Sequence, residues 1–301
     1  ASTNLAAFDK TDLLEPGESQ TLTLSFNVED MASYDYQNEK AYVLEAGDYE
    51  VSLQTDSHII VDTDTYTVDD EVVYNSDNKR STDEVAATNA FDFAEGDITY
   101  LSRADQFANM EEAFAAPTNC SISDEAKAEF TNNSNWKAEE DKDAVMPTTD
   151  AKNGLELVDM RGLDYDDAKW DELLDELSVS DMVDLVALGG YQTAAAKSVG
   201  KTNTTDCDGP ASINNNFTGV GSIGFPCGVM IANSFNEDIA KAFGDSIGQM
   251  ADEMNVSGWY APAMNIHRNA FAGRNFEYYS EDGVLSGKIA AQAVQGAADH
   301  G

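Results

Sequence analysis

The chain has 301 residues and carries 17 Lys and Arg against 56 Asp and Glu, a formal net charge of −39. Such a surface would repel a phosphate backbone, so nucleic acid is excluded as a partner. A run of 18 apolar residues is missing, which predicts that no helix crosses a membrane. The hydrophobic fraction of 42% is enough for buried cores in about two domains.

The acidic and sulfur-containing residues give no sign of a metal or disulfide framework. Acids are dispersed among apolar residues, and 45 of the 56 lie before residue 200, which indicates a solvated acidic surface rather than a binding tail. Three cysteines, Cys120, Cys207 and Cys227, are irregularly spaced and do not combine with the three His into a metal motif. The pattern favours reduced thiols, a cytoplasmic setting and no bound metal.

Residues 1–75 predict β-structure. In QTLTLSFNVED (20–30), apolar residues alternate strictly with polar ones, and YEVSLQ (49–54) and DTDTYTVDD (62–70) give two further strands. We expect part of an antiparallel sandwich here. The stretch from Asp62 also imitates the start of a calcium loop, but it lacks Gly at the sixth position and has Val73 at the twelfth, which excludes calcium.

The rest of the chain falls into a weakly patterned part and a helical part. Residues 76–165 have little that predicts a core and are interpreted as a connector that wraps over its neighbours. From residue 166, helix and strand patterns alternate, which predicts a parallel sheet with crossover helices. The predicted helices are SVSDMVDLVALGG (178–190), SFNEDIAKAFGDSIGQMADEM (234–254), with a capping box from Ser234 to Glu237, and LSGKIAAQAVQGAADHG (285–301); GWYAPAMNI (258–266) is a predicted strand.

Two glycine-containing motifs follow in the helical part. GVGSIG (219–224) matches a dinucleotide-binding spacing, but it neither follows a predicted strand nor begins a helix, so no cofactor is predicted. TDCDGPA (205–211) is either a simple turn or the C-terminal end of a barrel strand, where barrels place their ligand contacts. In the second reading Asp208 would accept hydrogen bonds from adjacent sugar hydroxyls.

The stretch HRNAFAGRNFEYYSED (267–282) contains two of the five arginines of the chain, Arg268 and Arg274. A guanidinium is a rigid fork of donors that suits vicinal hydroxyls or a carboxylate. Glu277, three residues after Arg274, is placed to orient that arginine. The residues alone leave two readings open, a ligand site and a salt-bridged surface cluster.

These motifs together resemble glycoside hydrolase family 3, the β-glucosidase type. The resemblance runs over about 130 residues, through DGP, a Phe-Pro, SFNEDIAKAFG and APAMNIHRNAFAGRNFEYYSED. LAAFDKTDLLEPGESQTLTLSF and LEAGDYEVSLQTDSH resemble the latter part of the fibronectin-III-like domain of these enzymes. The sandwich segment precedes the barrel segment, as in the permuted subgroup, whose entry to the barrel is similar to ITYLSRADQF (98–107).

The resemblance assigns roles to four residues. It implies that Asp208 and Arg274 contact sugar hydroxyls in subsite −1, that Glu277 braces Arg274, and that Arg268 is structural beneath the subsite. Many family members continue DGP with Gly and Arg, whereas ASINNN follows here, so contacts from that loop stay open. The nucleophilic Asp and the acid/base Glu of the family are expected outside residues 1–301, and no catalytic carboxylate is named.

The expected fold is therefore multidomain: part of a fibronectin-III-like sandwich (1–75), the connector (76–165) and the first half of a (β/α) barrel (166–301). The implied function is retaining hydrolysis of terminal β-glucosyl residues without a cofactor, with β-xylosyl residues as a variant. A non-catalytic carbohydrate-binding module is the alternative. Expected partners are β-linked glucosides, the remaining barrel and an α/β sandwich domain of the same polypeptide; a homodimer stays open.

Overall fold

A computed structural model describes residues 3–94, 99–102, 104–116, 118, 120–132 and 141–301. The chain packs into two compact units, residues 1–8 with 21–123 and residues 9–20 with 124–301. The domain boundaries drawn from the sequence stay predictions. Ile98 and Arg103 of the ITYLSRADQF motif lie outside the described residues. Within the described ranges, no helix combines the length and the apolar character needed to cross a bilayer.

The regular elements are short apart from two helices and one hairpin. Ten strands are described: β1 Ser33–Asp35, β2 Ala41–Leu44, β3 Gly47–Gln54, β4 Ile60–Val68, β5 Val72–Tyr74, β6 Gln192–Thr193, β7 Thr204–Asp208, β8 Asn214–Asn215, β9 Val220–Gly221 and β10 Gly258–Tyr260. The α-helices of the same ranges are α1 Met110–Ala113, α2 Asp124–Asn132, α3 Lys169–Leu174, α4 Val179–Ala187, α5 Gly228–Ala232, α6 Glu237–Glu253 and α7 Gly283–Ala298.

The first unit is antiparallel, as predicted. β1, β2 and β5 form one sheet in the order β1-β2-β5, and β3 pairs with β4 in a long hairpin. Both strands of that hairpin were predicted, β3 from the alternation in YEVSLQ and β4 as the polar strand DTDTYTVDD. A small core of Ala32, Leu44 and Val68 is packed against tyrosine rings and Val72. The apolar area buried here is small, so this unit depends on its aromatic rings for much of its packing.

The strand predicted for residues 20–30 is wrong. Residues 21–27 have no regular structure, and Val28–Met31 forms a 3-10 helix. Asn27 and Asp30 bond to each other's backbone N–H and begin this turn. The alternation correctly indicates an extended chain, but a strand also needs a partner edge, and this segment pairs with no strand in the described part of the chain.

The second unit contains a parallel βαβ unit. β7 and β10 are parallel neighbours, with Cys207 opposite Trp259 and Asp208 opposite Tyr260, and α5 and α6 lie between them in sequence. The strand predicted for 258–266 is real but ends at Tyr260. β6 and β8 are antiparallel to β7, and β9 follows β8. Strand, crossover helices and parallel strand agree with the predicted alternation.

The end of the predicted connector belongs to a core. Met160 is 3% exposed and packs with Leu173, Ala196 and Val199. Buried Glu176 accepts a hydrogen bond from the Leu155 N–H at 2.7 Å and fixes the chain beside this cluster. Residues 76–165 were predicted to contribute little to a core, but Met160 lies in one. The sequence did not indicate this because single apolar residues in an acidic segment give no periodic signal.

Caps set where the two long helices begin. Asn236, not Ser234, caps α6, and its Oδ1 accepts from the Ile239 N–H at 3.1 Å. The Ser234 hydroxyl instead donates to the Ile231 carbonyl, so the predicted capping box is wrong by two residues. Asp282 caps α7 by accepting from the N–H groups of Val284 and Leu285. Both caps satisfy donors that the first helical turn leaves open.

α6 and α7 approach each other through glycines. A Cβ on Gly244 would overlap the carbonyl oxygen of Ala293, and a Cβ on Gly296 would overlap that of Lys241. Phe243 and Ile247 of α6 and Ile289 of α7 are all buried. The close contact is therefore possible only because these positions have no side chain.

We expect Gly244→Ala to destabilise the protein by about 1–3 kcal/mol, because the methyl group would force two packed helices apart. Thermal unfolding followed by circular dichroism checks this. Gly287→Ala in α7 is the matched control: a Cβ there meets nothing within 4 Å, so helix propensity should leave the midpoint unchanged or raised. Equal midpoints for the two variants would contradict the tight helix contact.

Candidate substrate-binding site

Asp208 lies at the C-terminal end of β7, and each of its carboxylate oxygens accepts a hydrogen bond from another residue of the chain. The Gly209 N–H donates to Oδ1 at 2.8 Å, and the Tyr191 hydroxyl donates to Oδ2 at 3.0 Å. The side chain is half-buried. Each oxygen keeps acceptor capacity, since an ionised carboxylate offers about four acceptor positions.

The Asp-Gly-Pro turn after β7 requires a glycine at its second position. Gly209 has φ 110°, and a Cβ there would lie 2.7 Å from the Ser212 carbonyl oxygen, so only glycine fits. The Trp259 indole N–H donates to the Gly209 carbonyl at 2.9 Å. A residue of β10 thereby fixes the turn that follows β7.

Tyr191 is a site residue that the sequence analysis missed. Its hydroxyl bond to Asp208 raises its pKa, because the carboxylate disfavours a phenolate beside it. Its backbone carbonyl accepts from the Asp206 N–H at 2.9 Å, and its ring lies 5.7 Å from that of Phe217. The available signal was weak: a lone tyrosine after Gly-Gly at a helix end.

A buried asparagine organises the loop that replaces the Gly and Arg of the family pattern. Asn215 is 2% exposed; its Nδ2 donates to the Asp206 carbonyl at 2.8 Å. Its Oδ1 accepts from the N–H groups of Phe217 and Thr218 at 2.9 and 3.0 Å. The polar ASINNN run is therefore an ordered loop that keeps Phe217 beside Tyr191.

Arg274 and Glu277 form an ion pair in the stretch after β10. Arg274 precedes the 3-10 turn Asn275–Glu277, and its Nε contacts Glu277 Oε1. The Glu277 side chain is 7% exposed and that of Arg274 is 69% exposed, so a buried carboxylate holds an open guanidinium. The bond to Glu277 raises the pKa of Arg274, and the charge of Asp208 acts in the same direction.

The same stretch is anchored in the core by neighbouring residues. Tyr279 is 2% exposed, and burial raises its pKa to about 12. A Cβ on Gly228 of α5 would lie 2.8 Å from the Glu277 carbonyl oxygen, so helix and stretch are in backbone contact. Glu277 and Tyr279, two residues apart, are therefore both buried, whereas Arg274 is exposed to solvent.

The four predicted site residues differ in their surroundings. Asp208, Arg274 and Tyr191 are close enough for their charges to influence one another. Arg268 is exposed, and no carboxylate of the described ranges forms an ion pair with it. Its bracing role and the sugar contacts of Asp208 and Arg274 stay predictions. The described residues contain no cluster of three or more His, Cys, Asp or Glu that could hold a metal.

The comparisons with known proteins agree with the motifs. Residues 1–57 match the fibronectin type III-like domain. The chain is 31% identical to "Beta-glucosidase A" of Butyrivibrio fibrisolvens over 97% of its own length and 36% of the relative. It is 27% identical to "Beta-glucosidase" of Ruminococcus albus over 97% of itself and 30% of that protein. The chain thus spans about a third of these relatives.

A solved structure gives the same picture of the fold. The β-glucosidase of Paenibacillus barengoltzii matches over 99% of this chain and 32% of its own, with a TM-score of 0.62 and 24% identity. Fold and motifs define a relative of the β-glycosidases. More specifically, the chain is similar to a segment of curated β-glucosidases in which the part that matches the fibronectin type III-like domain precedes the part with the DGP and GRN motifs, because single relatives match both parts in this order.

We expect Asn215→Ala to lower the free energy of unfolding by about 1–3 kcal/mol, because a buried backbone carbonyl and two N–H groups lose their partner. Urea unfolding measures the loss. Asn216→Ala is the matched control, since this neighbouring asparagine is exposed and should tolerate the change. A tolerant Asn215→Ala would show that the loop is held by other contacts.

Proposed function

We propose that the protein hydrolyses terminal β-D-glucosyl residues with retention of configuration, with β-xylosyl residues as a second substrate class. Two observations support this. The curated relatives that match along 97% of the chain are β-glucosidases. Asp208 ends β7 and Arg274 lies in the stretch after its parallel neighbour β10, at the end of the strands where β/α folds place ligand contacts.

Asp208 and Arg274 hold the sugar of subsite −1 in this proposal. The observation that carries it is the open guanidinium of Arg274, whose Nε is taken by buried Glu277. That pair leaves the two terminal nitrogens as donors in a fixed plane. Asp208 contributes acceptors and Arg274 contributes donors, which suits hydroxyl groups that do both.

The catalytic carboxylates belong elsewhere in the protein. A retaining glycosidase needs a nucleophile and an acid/base about 5–5.5 Å apart. Asp208 is tied to Tyr191 and Gly209, and Glu277 is tied to Arg274, so both support binding instead. We propose that β7, β10 and their helices form part of a (β/α) barrel, that its remaining strands supply the nucleophile, and that an α/β sandwich domain supplies the acid/base.

In the full-length protein, Asp208→Asn and Arg274→Ala should each lower kcat/KM on an aryl β-glucoside by about tenfold or more. The reason is that each change removes a charge-assisted hydrogen bond to the sugar that strengthens as the ring flattens in the transition state. Steady-state kinetics on the purified variants measure the loss.

Arg268→Ala is the matched control, an exposed arginine of the same stretch, and we expect kcat/KM within about twofold of the parent. The family pattern predicts that any effect of this change falls on thermal stability. If the Arg274→Ala enzyme keeps the parental kcat/KM, the stretch 267–282 is only a salt-bridged surface loop. Glucose binding without any hydrolysis by the full-length protein would favour the non-catalytic module.

Tyr191→Phe should lower kcat/KM about two- to tenfold, because it removes one neutral-to-charged hydrogen bond from Asp208 and keeps the ring beside Phe217. The expected loss is smaller than for Asp208→Asn, since the carboxylate itself remains. Tyr165→Phe, at a residue that is 99% exposed, is the control. A Tyr191→Phe enzyme as impaired as Asp208→Asn would assign the tyrosine hydroxyl a direct contact with the sugar.

A further inference from the structure

The first unit contains a cavity that the motifs of the second unit do not involve. It is wide open to solvent and has a volume of about 640 Å³. Four tyrosines provide most of its wall together with a short polar segment; the lining residues are Tyr34, Tyr36, Tyr42, Tyr100 and 87–89. The described lining residues carry four phenol rings and no charged side chain, which suits an amphipathic, uncharged ligand.

The rings are held in two edge-to-face pairs. Tyr34 and Tyr42 lie 5.5 Å apart at 75°, and Tyr36 and Tyr100 lie 5.6 Å apart at 61°. The Tyr34 hydroxyl donates to the Lys40 carbonyl at 3.0 Å, which fixes that ring on β1. The cavity wall is therefore ordered before any ligand arrives, which reduces the entropy lost on binding.

The polar edges of the wall retain hydrogen-bonding capacity. The Tyr36 hydroxyl oxygen accepts from Gln37 Nε2 at 3.0 Å, so its own O–H can donate to a ligand. Asn89 Oδ1 accepts from the Phe91 N–H at 3.0 Å, and its amide NH₂ can donate in addition. Tyr36 and Tyr100 are 48% and 56% exposed, so part of each side chain is accessible to a ligand.

Two ligand classes compete for such an aromatic wall, a neutral sugar and a quaternary ammonium ion. The Arg80 guanidinium already lies over the Tyr42 ring, 3.9 Å from its centroid, so that ring face is not open to a second cation. Arg80 stays in place because Asp83 binds it through two hydrogen bonds of 2.8 and 3.0 Å. An anionic ligand is disfavoured by the net charge of −39.

We propose that the tyrosine cavity, lined by Tyr34, Tyr36, Tyr42 and Tyr100, binds a neutral β-linked gluco-oligosaccharide as a site separate from Asp208 and Arg274. The apolar C–H faces of a β-linked pyranose lie against the phenol rings, and its hydroxyls bond to Tyr36 and Asn89. The choice of sugar rests on the proposed function, whereas the existence of an aromatic ligand site rests on the cavity alone.

The test is calorimetric binding of cellotetraose with sulfur in place of the linking oxygens, which glycosidases barely hydrolyse, to the full-length protein carrying Asp208→Asn, which weakens the other site. We expect Tyr36→Ala and Tyr100→Ala each to weaken the remaining binding about tenfold, as loss of an aromatic anchor does. Tyr36→Phe keeps the ring and should retain most of the affinity. Tyr165→Ala, an exposed tyrosine outside the cavity, is the control and should change nothing.

The outcomes separate this inference from the proposed function. Cellotetraose binding that depends on Tyr36 and Tyr100 in a protein without hydrolase activity would support the cavity and remove the proposed function. Active enzyme whose binding is indifferent to both alanine changes would overturn the cavity inference alone. Choline binding that depends on these tyrosines, with no oligosaccharide binding, would also overturn it in favour of a cation site.

Discussion

The parallel pairing of β7 with β10 is the constraint on which the candidate site depends. Asp208 stands opposite Tyr260 at the end of this pair, and Cys207 beneath it is fully buried. Carboxyl ends of parallel strands meet at one edge, so the turn after β7 and the arginine stretch after β10 share that edge. The Trp259 indole reinforces the pairing by binding the Gly209 carbonyl across it. This register brings Asp208 and the arginine stretch, although Asp208 and Arg274 are 66 positions apart in the sequence, to the same edge of the sheet.

Charge acts differently at the site than on the surface. In an acidic chain each exposed Lys or Arg side chain has several carboxylates nearby. Exposed ion pairs of this kind are weak and are screened by salt. Arg274 is paired instead with a carboxylate that is nearly out of water, on a turn anchored by Tyr279. The position of the guanidinium is therefore set by the fold. This explains how a highly acidic protein keeps an arginine oriented without enclosing it.

The sequence predicts elements whose signal is periodic and misses contacts that depend on the path of the chain. The stripe of α6 and the alternation in β3 and β4 are local, and both predictions are correct. The alternation of residues 20–30 is equally regular, yet it gives no strand, because pairing is not encoded in the segment itself. Asn215 lies in a run of three asparagines that is typical of a solvated loop, and only the bend over Asp206 buries it. The barrel assignment goes beyond the one parallel unit that the described residues contain.

How far a candidate site residue can be predicted depends on how much of its chemistry lies in a motif. Asp208 and Arg274 stand in DGP and GRN, where neighbours announce them, whereas Tyr191 comes to Asp208 through the antiparallel pairing of β6 with β7. The Tyr191 hydroxyl bond also limits how many further hydrogen bonds Asp208 can accept. With one donor already on each oxygen, Asp208 has about two acceptor positions left, and in the proposed function two adjacent sugar hydroxyls would fill them. In that proposal each hydroxyl that donates to Asp208 keeps an oxygen that would accept from Arg274. Tyr191 and Glu277 thus have parallel tasks: one holds the acceptor, the other holds the donor, and neither needs to touch the ligand.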